Sequence, residues 1–411
     1  MVLKRRILEE LCLYLFDSGS KRLSEFHRFV DANPAVEDYA RFRAVCEKRE
    51  TPWQSWPKPL CDGILAEGDY DETVKRYHLY AQWLSAQQIQ TLSVNAHEKG
   101  VKLYLDLPLG SHPDGYDVWR ENTIFAKAVS VGAPPDDFFI KGQNWGFPPL
   151  HPEKIREHGY RYFIRYLRHH LQHADVLRID HVMGLHRLFW IPQGLEAKQG
   201  IYVRYHSDEF YAVLSLESLR NKVSIIGEDL GTVPPEVRLE MDRHRFSRMY
   251  VVSFELAPNS DAAFNQISPS VIACLNTHDL SPFAGFWYGM DIEKRLKLGF
   301  LSEQDVQKEL NARNAIKEAL VTFLKHKYTV AGESEIIDIM KSCLIFLAES
   351  QAKLVMVNLE DLWLETEPQN IPGTQAEYPN WRRKIHYSLE EFCQMPAVID
   401  ILKEINDRRK R

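Results

Sequence analysis

Val176-Leu177-Arg178-Ile179-Asp180-His181 is the stretch whose reading decides the fold. It is a short apolar run, too brief for a helix, and it closes on an acid and a histidine. Such a run, bounded by turn signals, reads as a buried strand. The pattern recurs downstream. Residues 223–229 end on Glu228 and Asp229, 249–255 end on Glu255, 271–278 run into Asp279, and 353–359 form the last candidate. Upstream, 101–109 alternates strictly, with Val101, Leu103, Leu105, Leu107 and Leu109 on one face and Asp106 within the run. Helical patterns over 152–172, 205–221, 235–246, 302–325 and 333–349 separate these strands, and a last one covers 388–408. Alternating strands and helices predict an α/β fold with a parallel sheet. In such sheets the chemistry gathers at the carboxyl ends of the strands. Acids at five strand ends are hard to assign to packing, because a carboxylate leaving an apolar strand costs desolvation unless it is paired or used.

The first hundred residues have another texture. Helical patterns cover the opening, 36–48 and 69–100, and the proline- and tryptophan-bearing stretch 51–59 reads as a loop. The whole chain has 411 residues, 45% of them hydrophobic, and a net charge of -6. That composition excludes wholesale disorder. The lack of a basic excess argues against a nucleic-acid partner. No run approaches the length of a membrane span, and the opening lacks the pattern of a secretory leader. The six cysteines show no C-x-x-C spacing, which predicts buried free thiols, a reducing compartment and a cytoplasmic location. His169, His170 and His173 resemble a metal cluster, but adjacent residues on a helix point different ways, so a solvated face and no metal are expected.

Glycosyl chemistry needs two carboxyl groups flanking one sugar linkage. Strand alternation puts Arg178 and Asp180 on one side of their strand, and a neighbouring guanidinium keeps a carboxylate ionised, as a nucleophile requires. Glu228 follows Ile225, Ile226 and Gly227; partial burial there raises a carboxyl pKa and suits a proton donor. His181, His278 and Asp279 are candidates for binding ring hydroxyls. Plainer readings stand beside these. Arg178 and Asp180 also fit a structural ion pair, Glu228-Asp229 fits a strand end entering a helix, and Asp279 fits a helix cap. The aromatic pairs and triplets at 189–190 and 286–288 fit core packing.

Taken together, the motifs Gly132-Ala133-Pro134-Pro135-Asp136, Gly142-Gln143-Asn144-Trp145-Gly146, Arg178-Ile179-Asp180-His181, Gly227-Glu228-Asp229-Leu230-Gly231, Thr277-His278-Asp279, and Asn370-Ile371-Pro372-Gly373-Thr374 with Asn380-Trp381-Arg382 resemble the 4-alpha-glucanotransferases of the amylomaltase (disproportionating enzyme) family, glycoside hydrolase family 77. Their order matches from about residue 30 onward. The resemblance implies a (β/α)8 TIM barrel of the α-amylase type and a retaining transfer between malto-oligosaccharides and glucose, with no cofactor. It implies Asp180 as nucleophile, Glu228 as general acid/base and Asp279 as the third carboxylate. It implies Asp106, Gln143, Trp145, Arg178, His181, Glu255, His278 and Asn370 as substrate-binding or orienting residues.

The resemblance also implies a difference at the front. The six strand candidates match the family's third to eighth, so the expected barrel lacks its first two strands. Residues 1–100 are then a helical segment belonging to the barrel's early part, and 101–411 are the catalytic strands with a C-terminal helix. Closure takes eight strands. A shortened enzyme, a partner chain supplying the missing strands, and a paralogue whose helices cover the gap are the three expectations that follow. A glucan-binding fragment without turnover and an α-glucan hydrolase are the rival functions.

Overall fold

The computed structural model describes residues 2–17, 20–136, 139–328, 335–374 and 376–410. The chain folds as two units, one of residues 1–130, 146–177 and 212–223, the other of residues 131–145, 178–211 and 224–411. The strands in chain order are β1 (Tyr104–Leu107), β2 (Val129–Ala133), β3 (Gln143–Asn144), β4 (Val176–Ile179), β5 (Arg187–Pro192), β6 (Ile201–Arg204), β7 (Ser224–Gly227), β8 (Arg248–Val251), β9 (Val271–Cys274) and β10 (Leu354–Met356).

The first unit is built from the helices Val2–Asp17, Arg22–Ala32, Pro34–Arg49 and Glu72–Glu98. Asp71 caps the last of these by accepting from the N–H groups of Thr73 and Val74, at 2.7 and 3.1 Å. One apolar cluster joins Cys12, Leu15, Phe26, Ala40, Leu79, Tyr80 and Trp83, and another joins Phe42, Val45, Trp56, Leu60 and Trp119. The predicted strand at 101–109 is shorter in the structure. Val101 turns its N–H back onto the Ala96 carbonyl, and Pro108 has no N–H to continue a ladder. Only Tyr104–Leu107 is extended. The predicted helix at 152–172 is two, Pro152–Glu157 and Arg161–Leu171. Gly159 and Tyr160 both take positive φ, 61° and 55°, and break it.

The second unit carries the parallel strands. β8 pairs with β9, and β9 with β10, both in parallel. β7 meets Ser247, the residue just before β8, through the parallel bridge Ile226↔Ser247. At the end of β4, the Ile179 carbonyl accepts the N–H of Glu228 at 2.9 Å. The helix Ile336–Ala348 packs on this sheet and buries Ile339, Met340, Cys343, Leu344, Ile345, Leu347 and Ala348, apolar on nearly every side. Sequence reading missed a four-stranded sheet of order β3-β2-β5-β6, in which β2–β3 and β5–β6 are antiparallel. Phe189, expected in the core, is buried there with Ile191 and Ala197.

Three strand ends differ from expectation. β8 stops at Val251 and Val252–Glu255 winds into a helical turn, so Glu255 does not end a strand. β9 stops at Cys274, and β10 is followed by the 3₁₀ turn Leu359–Trp363. The six cysteines are free, but only Cys12, Cys274 and Cys343 are buried; Cys46 and Cys61 are half-buried and Cys393 is exposed.

Candidate active site

β4 and β7 end side by side, and the turn after β4 joins them tightly. Arg178 is 3% exposed. Its Nη1 lies 2.9 Å from Asp180 Oδ1. The next residue, His181, adopts a left-handed conformation (φ 46°, ψ 59°), uncommon for a residue with a side chain. This turn aims the His181 N–H at Glu228 Oε2, 3.0 Å away, while Leu230 N–H donates to Oε1 at 2.7 Å. Val182 N–H binds the Glu228 carbonyl at 3.1 Å. The Glu228 carboxyl is therefore fixed by backbone donors, one of them from the tip that carries Asp180. Backbone strain kept at a site of this kind is a pointer to function.

Burial pushes the Glu228 carboxyl up, and repulsion from Asp180 pushes it further, to about 7; Arg178 and the two N–H donors offset only part of this. Burial lowers His181 to about 4, so its ring is neutral at ordinary pH.

β9 leads into the third acid. Burial raises the Asp279 carboxyl, but hydrogen bonds from His278 and Asn370, with the Arg178 charge, outweigh it and hold the group below the ordinary aspartate value. His278 Nε2 lies 3.3 Å from Asp279 Oδ2, and Asn370 Nδ2 donates to Oδ1 at 2.7 Å. Arg178 acts on all three carboxylates: it pairs with Asp180 and lowers both Glu228 and Asp279. Removing its charge by Arg178→Gln is expected to raise the Glu228 pKa and to cut catalysis by about 10²-fold. Carboxyl NMR titration checks the first effect, and initial rates check the second.

The β2–β3 hairpin brings in Gln143 and Trp145. Ala133 pairs with Gln143 and Gly132 with Asn144. Trp145 N–H binds the Val131 carbonyl, and its indole Nε1 donates to Gln143 Oε1 at 3.2 Å. The indole stands edge-on to the His181 ring, with centroids 5.1 Å apart. A β-carbon on Gly132 would lie 2.0 Å from the Gln143 carbonyl oxygen and 2.6 Å from Ile191 Cδ1, so only glycine admits this hairpin.

Of the residues singled out from sequence, the second unit thus contains Gln143, Trp145, Arg178, Asp180, His181, Glu228, Glu255, His278, Asp279 and Asn370. Glu255 is engaged by Asn265, whose Nδ2 donates to it at 2.9 Å. Asp106 lies half-buried on β1, in the first unit. Sequence reasoning missed Glu360 and Asp361, although an acid pair just after a strand repeats the Glu228-Asp229 pattern. It also missed what Asp229 does: 2% exposed, it takes hydrogen bonds from Arg238, Arg248 and the Met249 N–H, tying β7 to β8. Among the described residues no group of histidine, cysteine and acidic side chains could hold a metal ion, and no helix is long and apolar enough to cross a membrane.

A family model described as 4-alpha-glucanotransferase, glycoside hydrolase family 77, matches residues 1–390. A 4-alpha-glucanotransferase of Haemophilus influenzae is 35% identical over 426 residues, covering 100% of this chain and 59% of its own length. One of Mycobacterium tuberculosis is 33% identical over 361 residues, covering 85% of this chain and 50% of its own. The chain therefore spans roughly half to three-fifths of the length of these relatives. The crystal structure of amylomaltase from Corynebacterium glutamicum superposes with a TM-score of 0.80 at 27% identity, covering 94% of this chain and 56% of that one. An amylomaltase from Streptococcus agalactiae in complex with acarbose gives a TM-score of 0.80 at 21% identity, covering 99% and 79%, and shows the fold alone. The matched model, the relatives and the shared α/β fold agree: the chain belongs to the 4-alpha-glucanotransferase family.

Proposed function

We propose that the chain carries out 4-alpha-glucanotransfer, moving a segment of a 1,4-alpha-glucan to the 4-hydroxyl of glucose or a malto-oligosaccharide. The observation that carries this is one buried arginine acting on three carboxylates, with Glu228 pushed up to about 7 beside an Asp180 that is paired to the guanidinium. A proton donor next to a carboxylate held by a cation has the makings of an acid and a nucleophile.

In the first step an Asp180 oxygen attacks C1 of the donor sugar. The C1–O bond breaks, and its electron pair goes to the leaving oxygen, which takes the Glu228 proton. The product is a glycosyl ester of Asp180. In the second step the ionised Glu228 takes the proton of an acceptor 4-hydroxyl while that oxygen attacks C1, and the ester bond breaks to return the Asp180 carboxylate. Two inversions retain the anomeric configuration. Asp279, locked by His278 and Asn370, binds ring hydroxyls as the sugar distorts. Arg178 keeps Asp180 ionised. His181, neutral, accepts or donates toward the same ring. Gln143 and Trp145 hold the acceptor in line and keep water out, which favours transfer over hydrolysis. Asp106 and Glu255 are proposed as outer sugar contacts. No cofactor enters this balance.

The same reading makes the parallel strands the third to eighth of a (β/α)8 barrel, with residues 1–100 as a helical segment of its early part. A cytoplasmic location accords with six free thiols.

Incubation with maltotriose tests the proposal. Glucose together with longer oligomers is expected. Glucose and maltose without elongation would make the protein a hydrolase. Binding without turnover would leave a glucan-binding fragment, or one that acts with a further chain.

A further inference from the structure

Asp279 and Asn370 meet at 2.7 Å, yet they stand on separate loops. What holds those loops together is a pair of adjacent acids that touch neither residue directly. Asp361 is fully buried at 0% exposure, and Glu360 is 8% exposed. Both sit on the turn Leu359–Trp363 after β10.

Asp361 reaches the loop after β9. Its Oδ1 accepts the Phe283 N–H at 2.7 Å and Asn276 Nδ2 at 3.0 Å, and its Oδ2 accepts Asn276 Nδ2 at 2.8 Å. Asn276 precedes Thr277-His278-Asp279, and Phe283 opens the helix that follows, so one carboxylate fastens both ends of the acid-bearing loop. Asn276 Oδ1 in turn accepts Asn358 Nδ2 at 2.9 Å. Glu360 faces the other loop. Its Oε1 accepts Gln369 Nε2 at 2.9 Å and Arg383 Nη2 at 2.6 Å. Gln369 is the neighbour of Asn370, and its carbonyl accepts the Trp381 N–H at 2.9 Å. The Trp381 ring lies 5.4 Å from that of His278.

We propose that Glu360 and Asp361 are positioning residues, a brace that sets the register of the Asp279 loop against the Asn370 loop. The inference rests on the transfer reading above and names what holds its third carboxylate in place. Buried carboxylates are costly unless they are hydrogen-bonded, so a pair bonded to both loops favours one arrangement over several. Hydroxyl contacts from Asp279 strengthen as the sugar distorts, so a loosened loop lowers kcat more than it raises KM.

The polarity of the brace provides its test. Asp361→Asn sets an amide donor against the Asn276 amide donor. Adding Asn276→Asp reverses the polarity: the 2.8 Å bond re-forms with the amide of residue 361 as donor, Phe283 N–H and Asn358 keep their oxygen acceptors, and only the longer 3.0 Å contact is lost. D361N in the full chain is expected to lower kcat by about tenfold or more with KM within about threefold, and N276D/D361N to recover kcat to within about threefold of the parent. Hydrogen exchange across 277–283 is expected to quicken in D361N and to slow again in the double variant. A folded double variant no more active than its singles, or a D361N with full kcat, overturns the proposal. Should D361N not fold, Glu360→Gln decides it: faster exchange at 369–371 with a lower kcat supports the brace, and no change in either overturns it. If the parent chain itself transfers no glucan, the transfer reading fails on its own, and unchanged exchange in D361N then disposes of the brace separately.

Discussion

Replacing Asp180 by alanine is expected to lower transfer from maltotriose by a factor of about 10⁴ or more, because no other group can form the covalent ester. Fold and substrate affinity should survive, since the Asp180 side chain is partly exposed and pairs with Arg178 at its own strand end. The chemical signature is sharper than the loss. With an α-glycosyl fluoride as donor and azide added, the shortened side chain leaves room for azide to displace fluoride in one inverting step, giving a β-glycosyl azide. Glu228 need not protonate fluoride, so this rescue isolates Asp180. Near-full activity in D180A, or rescue with an α product, removes Asp180 from the nucleophile's role.

Glu228→Gln is expected to lower maltotriose transfer by about 10³-fold or more while sparing the first step with a fluoride donor, whose departure needs no proton. In the parent, burial and the Asp180 charge hold the Glu228 proton up to about pH 7. Activity should therefore fall as pH rises through about 7, and the fluoride donor's first step should lack that limb. Stability follows the same sign. A carboxyl raised in the folded protein favours folding below its ordinary pKa, and that advantage is lost as pH climbs through the folded value. The neutral amide escapes this pH-dependent loss, although it sets one N–H donor against a backbone N–H. The melting temperature of E228Q relative to the parent should therefore rise between pH 5 and pH 8. A relative melting temperature that does not change between these pH values would mean that the carboxyl is not held protonated in the folded chain.

Much of this was legible in the sequence because strand cores and strand ends obey different rules. The runs at 176–179, 224–227 and 271–274 are largely apolar and buried, so Asp180 and Glu228 stood out just past the first two, while Asp279 lies in the loop beyond the third. What was not legible depends on partners far away in sequence. Asp361 reads like any acid until Asn276 and Phe283 are seen to surround it. Glu255 looked like a strand end because Val252 is as apolar as a strand residue, whereas the backbone there coils and Asn265 takes the carboxylate. The split of the 152–172 helix turned on a left-handed tyrosine, a conformation no propensity scale assigns to that residue. The β3-β2-β5-β6 sheet escaped notice because β3 is only Gln143–Asn144, too short to show any period.

Gly132 limits how the protein can be retuned. A library randomised at this position should return glycine alone, since even a methyl group collides with the opposing chain. Positions 143 and 145 face no such veto. Engineers seeking a different sugar preference should therefore diversify the side chains that project from this ribbon and leave its spine untouched.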